Sequence, residues 1–177
     1  MEAPDEQLML AYRDGNAGAF ETLYARHRAR LYRFVLRSVK SRPIGEELFQ
    51  EIWLRVIEAR ARYTPQARFT TWLYTIAHNH LVDHWRKRGL TLVALEGDEL
   101  PGTSPDPADQ AQARQSLERF AAALQALPPL QREAFLLHEE GELSVAEIAA
   151  ATGTNEEAAK SRLRYAMAKL KAAVSDG

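Results

Sequence analysis

Apolar residues return every three or four positions along almost the whole of this chain, and nowhere do they alternate strictly with polar ones. A helix places such residues on one face, whereas a strand would need a period of two. An all-α fold is therefore expected. Ala17 to Val39 carries Phe20, Leu23, Tyr24, His27, Leu31, Phe34 and Val35 on one stripe. Ile44 to Ala61 carries Leu48, Ile52, Val56 and Ala59, with Phe49, Trp53 and Ile57 beside them. Breakers divide the pattern. Gly15-Asn16 ends a short helix over Asp5–Asp14, Arg42-Pro43 separates the second and third helices, and Tyr63–Gln66 is a loop before a fourth helix from near Thr70 to Gly89. Helix resumes near Pro107 and runs to about Leu127, and Pro129 opens the next, which reaches Glu139 or Glu140 with Gly141 suited to its C-terminal cap. Ser144 and Glu147 have capping-box spacing for a short helix that Gly153 ends, and a last helix covers Asn155 to Val174.

Residues 91–112 break the pattern with three prolines, two glycines and only acidic charge. They read as a flexible acidic linker. The expected architecture is two small helical domains, residues 1–90 and 113–177, with a helix-turn-helix in the second. The 177 residues carry a net charge of −1, but the charge is segregated. Residues 1–90 hold 15 bases against 10 acids, and five bases with no acid lie within Lys160–Lys171. Such stretches suit phosphates while the whole stays near neutral. There is no cysteine, so disulfides and thiolate metal sites are excluded. No signal-peptide pattern and no membrane-length apolar run occurs, so a soluble cytoplasmic protein is expected. The sequence has no Gly-rich phosphate loop, serine elbow or paired carboxylates in an apolar setting. Neither enzymatic chemistry nor a cofactor is implied. His27, His78, His80 and His84 lack carboxylate or cysteine partners at metal-ligand spacing and read as structural or surface residues.

Three constellations remain. Ser144–Leu170 makes a helix-turn-helix, with Gly153 in the turn and Ile148, Ala159, Leu163, Ala166 and Leu170 as the buried seam. Its outer face would present Lys160, Ser161, Arg162, Arg164 and Tyr165 to a major groove; the bland reading is a solvated basic face. Phe69–Arg88 interleaves aromatics with bases, which suits a single strand. Phe69, Trp72, Leu73, Ile76, Ala77 and Leu81 are equally well explained as core. That leaves Asn79, Asp83, Arg86, Lys87, Arg88 and Trp85 as binding candidates. On the third helix Glu46, Glu47, Gln50, Glu51 and Leu54 form an acidic, amide-bearing face beside an apolar stripe, suited to a basic partner helix or simply to water.

The runs ELFQEIWLRV, FTTWLYTIAHNHLVDHWRKR, LPPLQREAFLLHEEGELSVAEIAAATG and AKSRLRYAMAKLK occur in one order. Together they make the chain resemble the extracytoplasmic-function sigma factors of RNA polymerase, with regions 2 and 4 only. The resemblance implies an alternative sigma factor, not an enzyme, that binds core polymerase and promoter DNA. Glu46, Glu47, Gln50, Glu51 and Leu54 would dock on the β′ clamp coiled coil, and region 4 on the β flap. Tyr63, Arg68, Asn79 and Asp83 would capture the −10 element, and Arg86, Lys87 and Arg88 the melted strand. Lys160, Ser161, Arg162, Arg164 and Tyr165 would read the −35 element. An anti-sigma factor or a Ser/Thr kinase would control it.

Two departures stand out. Relatives carry an acidic cluster at the start of the clamp-binding helix, where this chain has Arg42-Pro43-Ile44-Gly45, and Glu156-Glu157 open the recognition helix where small residues are usual. Arg60 and Arg62 before Thr64-Pro65 read first as a turn, and second as a kinase site. A phosphate on Thr64 would add about −1.5 to −2 charges, replacing the missing acidity if Thr64 lies near that surface. The competing class is a stand-alone helix-turn-helix regulator, which would leave residues 69–88 unexplained; an adaptor mimicking one sigma domain would not need Arg86–Arg88.

Overall fold

A computed structural model of the chain describes residues 2–90, 92 and 110–175. Among them there is no strand. The helices are α1 (Asp5–Arg13), α2 (Ala17–Ser38), α3 (Arg42–Ala59), α4 (Phe69–Lys87), α5 (Gln110–Ala126), α6 (Pro129–Glu139), α7 (Val145–Thr152) and α8 (Glu156–Ser175), with a 3₁₀ turn at Arg60–Arg62. Residues 110–112, read as linker, are already helical. The rest of the linker except Leu92, and the helix start at Pro107, lie outside the described residues. No described helix is long and apolar enough to cross a membrane.

Helices α1–α4 enclose one core, in which Leu31, Phe34, Val35, Ile52, Val56, Leu73 and Leu81 are fully buried. Helices α5–α8 pack around Leu124, Leu136, Leu137, Ile148, Ala159, Ala166 and Leu170, and the two sets of buried residues join in one cluster. Local signals set most ends. Pro43 lies in the first turn of α3, where a missing N–H costs nothing, so the helix starts two residues before the expected Ile44. Gly45 lets α2 and α3 cross, since a Cβ there would stand 2.5 Å from Leu36 Cδ2. Ser144 Oγ accepts from Glu147 N at 3.2 Å while Ser144 N donates to Glu147 Oε1 at 3.1 Å, closing the capping box. Gly153 takes the left-handed conformation with φ +66°.

The end of α6 differs from expectation. The left-handed residue there is Glu142, φ +56°, and not Gly141. Gly141 is needed for space instead. A Cβ on it would meet Leu137 O at 2.7 Å, Leu143 Cδ1 at 3.1 Å and Tyr74 Cζ at 3.3 Å.

Tyr74 belongs to α4, so Gly141 marks a seam between the two helical units. There α4 packs on α7, and α2 on α6. Polar pairs fill the seam. Arg33 Nε donates to Glu140 at 2.9 Å and Arg37 Nη1 donates to the same carboxylate. Arg30 pairs with Glu142 at 3.0 Å. His78 Nδ1 meets the fully buried Glu133 carboxylate at 2.7 Å. Arg68 and Thr71 both reach Glu147, at 3.4 and 3.3 Å.

Gly141→Ala should therefore destabilise the protein by about 1–3 kcal/mol, as overpacking does in a well-filled interior. Thermal unfolding followed by circular dichroism reads this as a lower melting temperature. A melting temperature equal to wild type would contradict the close approach of Tyr74.

Candidate nucleic-acid and partner-binding surfaces

The helix-turn-helix is built as its spacing suggests. Asn155 Oδ1 accepts from Ala158 N at 2.8 Å and starts α8. Ile148, Ala159, Leu163, Ala166 and Leu170 are all buried. Lys160 and Arg164 are exposed on the opposite side, and Ser161, Arg162 and Tyr165 are half-buried between. The Arg164 guanidinium stands over the Tyr165 ring, 5.3 Å being the comparable spacing of Arg60 over Tyr12 and 5.4 Å its own. Glu156 and Glu157 are exposed in the first turn, where the helix dipole favours them.

On α4 the aromatics face inward. Phe69, Tyr74 and Trp85 are at most 2% exposed, so Trp85 is core and not a stacking platform. Tyr63 is also buried, at 1%, edge-on to Trp72 with ring centroids 5.0 Å apart. Its hydroxyl has no hydrogen-bond partner. Burial pushes its phenol up to about 12, with the charges of Glu6 and Asp5 adding to the shift. Helical spacing could not separate these rings from solvent-facing ones, because the core wraps around both sides of α4. The outward residues are Asn79, Asp83, Arg86, Lys87 and Arg88, all exposed along the second half of the helix and its C-terminal cap. Arg68 is exposed but tied to Glu147 of α7.

The acidic face of α3 is less free than its sequence suggests. Glu46 accepts from Tyr32 Oη at 3.0 Å and from Arg42 Nε at 3.2 Å, and these bonds hold its carboxyl below the usual range. Glu51 pairs with His80 of α4. Glu47, Gln50 and Leu54 are exposed, Leu54 at 56%. Three histidines thus have carboxylate partners far away in sequence: His27 with Asp5 at 2.8 Å, His78 with Glu133, and His80 with Glu51. Among the described residues no three such side chains gather as a metal site. Thr64 is exposed beyond the 3₁₀ turn at the end of α3. Gly45 lies near its start, and 18 residues of helix span about 27 Å. A phosphate on Thr64 would therefore stand at the far end of α3 from the acid-poor Ile44-Gly45, and could not replace charge there.

Family models of Sigma-70 region 2 and Sigma-70 region 4 match residues 23–91 and 117–170. The chain is 38% identical over 166 residues to RNA polymerase sigma factor CarQ of Myxococcus xanthus, covering 92% of this chain and 93% of the relative. It is 34% identical over 167 residues to ECF RNA polymerase sigma factor SigF of Caulobacter vibrioides, covering 92% and 89%. Among solved structures it is similar to CnrH in complex with the cytosolic domain of CnrY, with TM-score 0.71, 26% identity and 95% of each chain covered. It shares the fold of the sigma factor RpoE of Bartonella quintana bound to the anti-sigma factor NepR, with TM-score 0.69, 24% identity and 89% and 97% coverage.

The placement of Tyr63 is open to test. Tyr63→Phe removes a buried hydroxyl that bonds to nothing and should leave the melting temperature unchanged or raised. Tyr63→Ala should cost about 3–5 kcal/mol, as loss of a buried ring does. Destabilisation by Tyr63→Phe would show that the hydroxyl has a partner.

Proposed function

The chain belongs to the extracytoplasmic-function RNA polymerase sigma factors, and from that membership we propose that it acts in the cytoplasm, binding core polymerase and directing it to promoters. The observation that carries this reading is that one chain exposes three separate surfaces. Glu47, Gln50 and Leu54 on α3 would meet the β′ clamp, with Glu46 and Glu51 set beside them by their own pairs. Arg68, Asn79, Asp83, Arg86, Lys87 and Arg88 would take the −10 element and the melted strand. Lys160, Ser161, Arg162, Arg164 and Tyr165 would read the −35 element. Region 4 would also meet the β flap, and an anti-sigma factor is a partner of the kind that NepR is for RpoE. A stand-alone regulator would use only the third surface.

Elements centred 25 base pairs apart lie about 85 Å from each other on DNA at 3.4 Å per pair. A compact chain of 177 residues has a radius of gyration of about 16 Å. Promoter engagement would thus part the two domains about the linker and release Arg68 from Glu147.

Run-off transcription with purified core polymerase tests the reading. Initiation should require this protein. Gln50→Ala with Glu51→Lys should weaken core binding tenfold or more. Arg164→Ala should reduce promoter use by about 1–3 kcal/mol if it reaches a base. Wild-type protein that supports no initiation, with its core binding intact, would leave the sigma role without support.

Thr64 carries a finer reading. It is exposed behind Arg62, open to a Ser/Thr kinase, in the loop proposed to capture the −10 element. A phosphate there would repel DNA. Phosphorylated protein should bind core normally yet initiate less, and Thr64→Ala should escape the effect. Equal initiation by modified and unmodified protein would exclude a switch at this residue.

A further inference from the structure

Along the seam, arginines come with carboxylates. Arg33 and Arg37 share Glu140, Arg30 takes Glu142, and Arg68 takes Glu147. Arg132 on α6 is different. It is 3% exposed; its Nη1 donates to Gln125 O at 3.0 Å, its Nε is buried with no partner, and it forms no ion pair among the described residues. Burial lowers its pKa, with no carboxylate to oppose the shift. A buried guanidinium without a counter-ion is costly, and interiors normally answer it with an acid.

Arg132 lines a cavity of about 270 Å³ where the two domains meet. Lys40 and Ser41 line it from the α2–α3 connection, and His84, Trp85 and Arg88 from the end of α4. No Asp or Glu is among the described lining residues. Lys40 and Arg88 form no ion pair among the described residues either. A groove on the far side of His84 and Arg88 does hold Glu47, Glu51 and Asp83, but Glu51 is taken by His80. The pKa of His84 is lowered, first by burial and then by Arg88. Among the described residues, three permanent cations from two domains thus line one space with no acid beside them. Guanidinium forks match the oxygens of a phosphate in both charge and geometry. The Ser41 hydroxyl adds a neutral donor, and the Trp85 ring an apolar wall.

We infer that this cavity binds a phosphate group, held by Lys40, Arg88 and Arg132. The group belongs either to a free phosphorylated small molecule or to a nucleic-acid backbone. Because the cations come from both domains, a phosphorylated small molecule bound there bridges them and favours the docked arrangement, whereas promoter DNA, which parts the domains, would meet the cations of only one of them.

Isothermal titration with pyrophosphate, and in parallel with a short single-stranded DNA, tests the site. The proteins are wild type, Arg132→Gln, Lys40→Gln and Arg28→Gln. Arg28 is an exposed cation of α2 outside the cavity and controls for net charge. Pyrophosphate should bind wild type and Arg28→Gln alike, at least about tenfold more weakly to Arg132→Gln, and roughly threefold more weakly to the more exposed Lys40→Gln. DNA binding with that same dependence, and no pyrophosphate binding, keeps the phosphate site and assigns it to a nucleic-acid backbone. Equal weakening in all three variants, or no binding of either probe to wild type, overturns the site. Circular dichroism checks that Arg132→Gln is folded; if it is not, Lys40→Gln against Arg28→Gln decides.

Discussion

Gln131, Arg132 and Glu133 follow one another at the start of α6, and all three are buried. Successive residues on a helix point about 100° apart, so burying three in a row requires cover on nearly every side. Helices α7 and α8 give that cover from within the second domain, and α2 gives it from the first. From α4, His78 reaches across to Glu133. The docked arrangement depends on this polar turn. Glu133 has its partner only while the first domain is in place, and Tyr74 can come close only because Gly141 has no side chain.

Around that turn the seam is made mostly of half-exposed ion pairs, each worth little by itself. Beneath them the apolar residues of both units join in one continuous cluster, with a buried histidine–carboxylate pair beside it. Interfaces of this composition within one chain permit relative motion. The surfaces outside the seam differ in kind. Arg86 and Lys87 of α4 and the outer face of α8 carry cations at the surface, and α3 carries Glu47 and Gln50 beside the exposed Leu54. The net charge of −1 hides this segregation, because the five acids of residues 91–113 offset the excess of five bases in residues 1–90.

The helical architecture was legible because period, proline and cap residues are local. Pro43, Ser144 and Gly153 act within a turn of where they stand. What the sequence hides is long-range. His78 and Glu133 are 55 positions apart, and Arg33 and Glu140 are 107 apart, so no spacing rule could join them. Trp85 misled for a related reason. An aromatic residue among bases reads as a stacking platform until a second helix is seen to cover it. Gly141 shows that the residue can be required while the inferred cause is wrong: it supplies room, and Glu142 takes the left-handed turn. The acidic face of α3 was visible, but not that Glu46 and Glu51 are already bonded to Tyr32, Arg42 and His80.

The start of α6 must be compatible with two surroundings. When the domains are docked it lies in an interior, where leucine would serve as well as glutamine. If the domains part as proposed, the face of this turn that α2 and α4 cover would meet water, and an apolar turn there would become an adhesive patch. On that reading, a substitution chosen only to tighten the closed form would make an open form prone to associate with itself, and the turn would be restricted twice over.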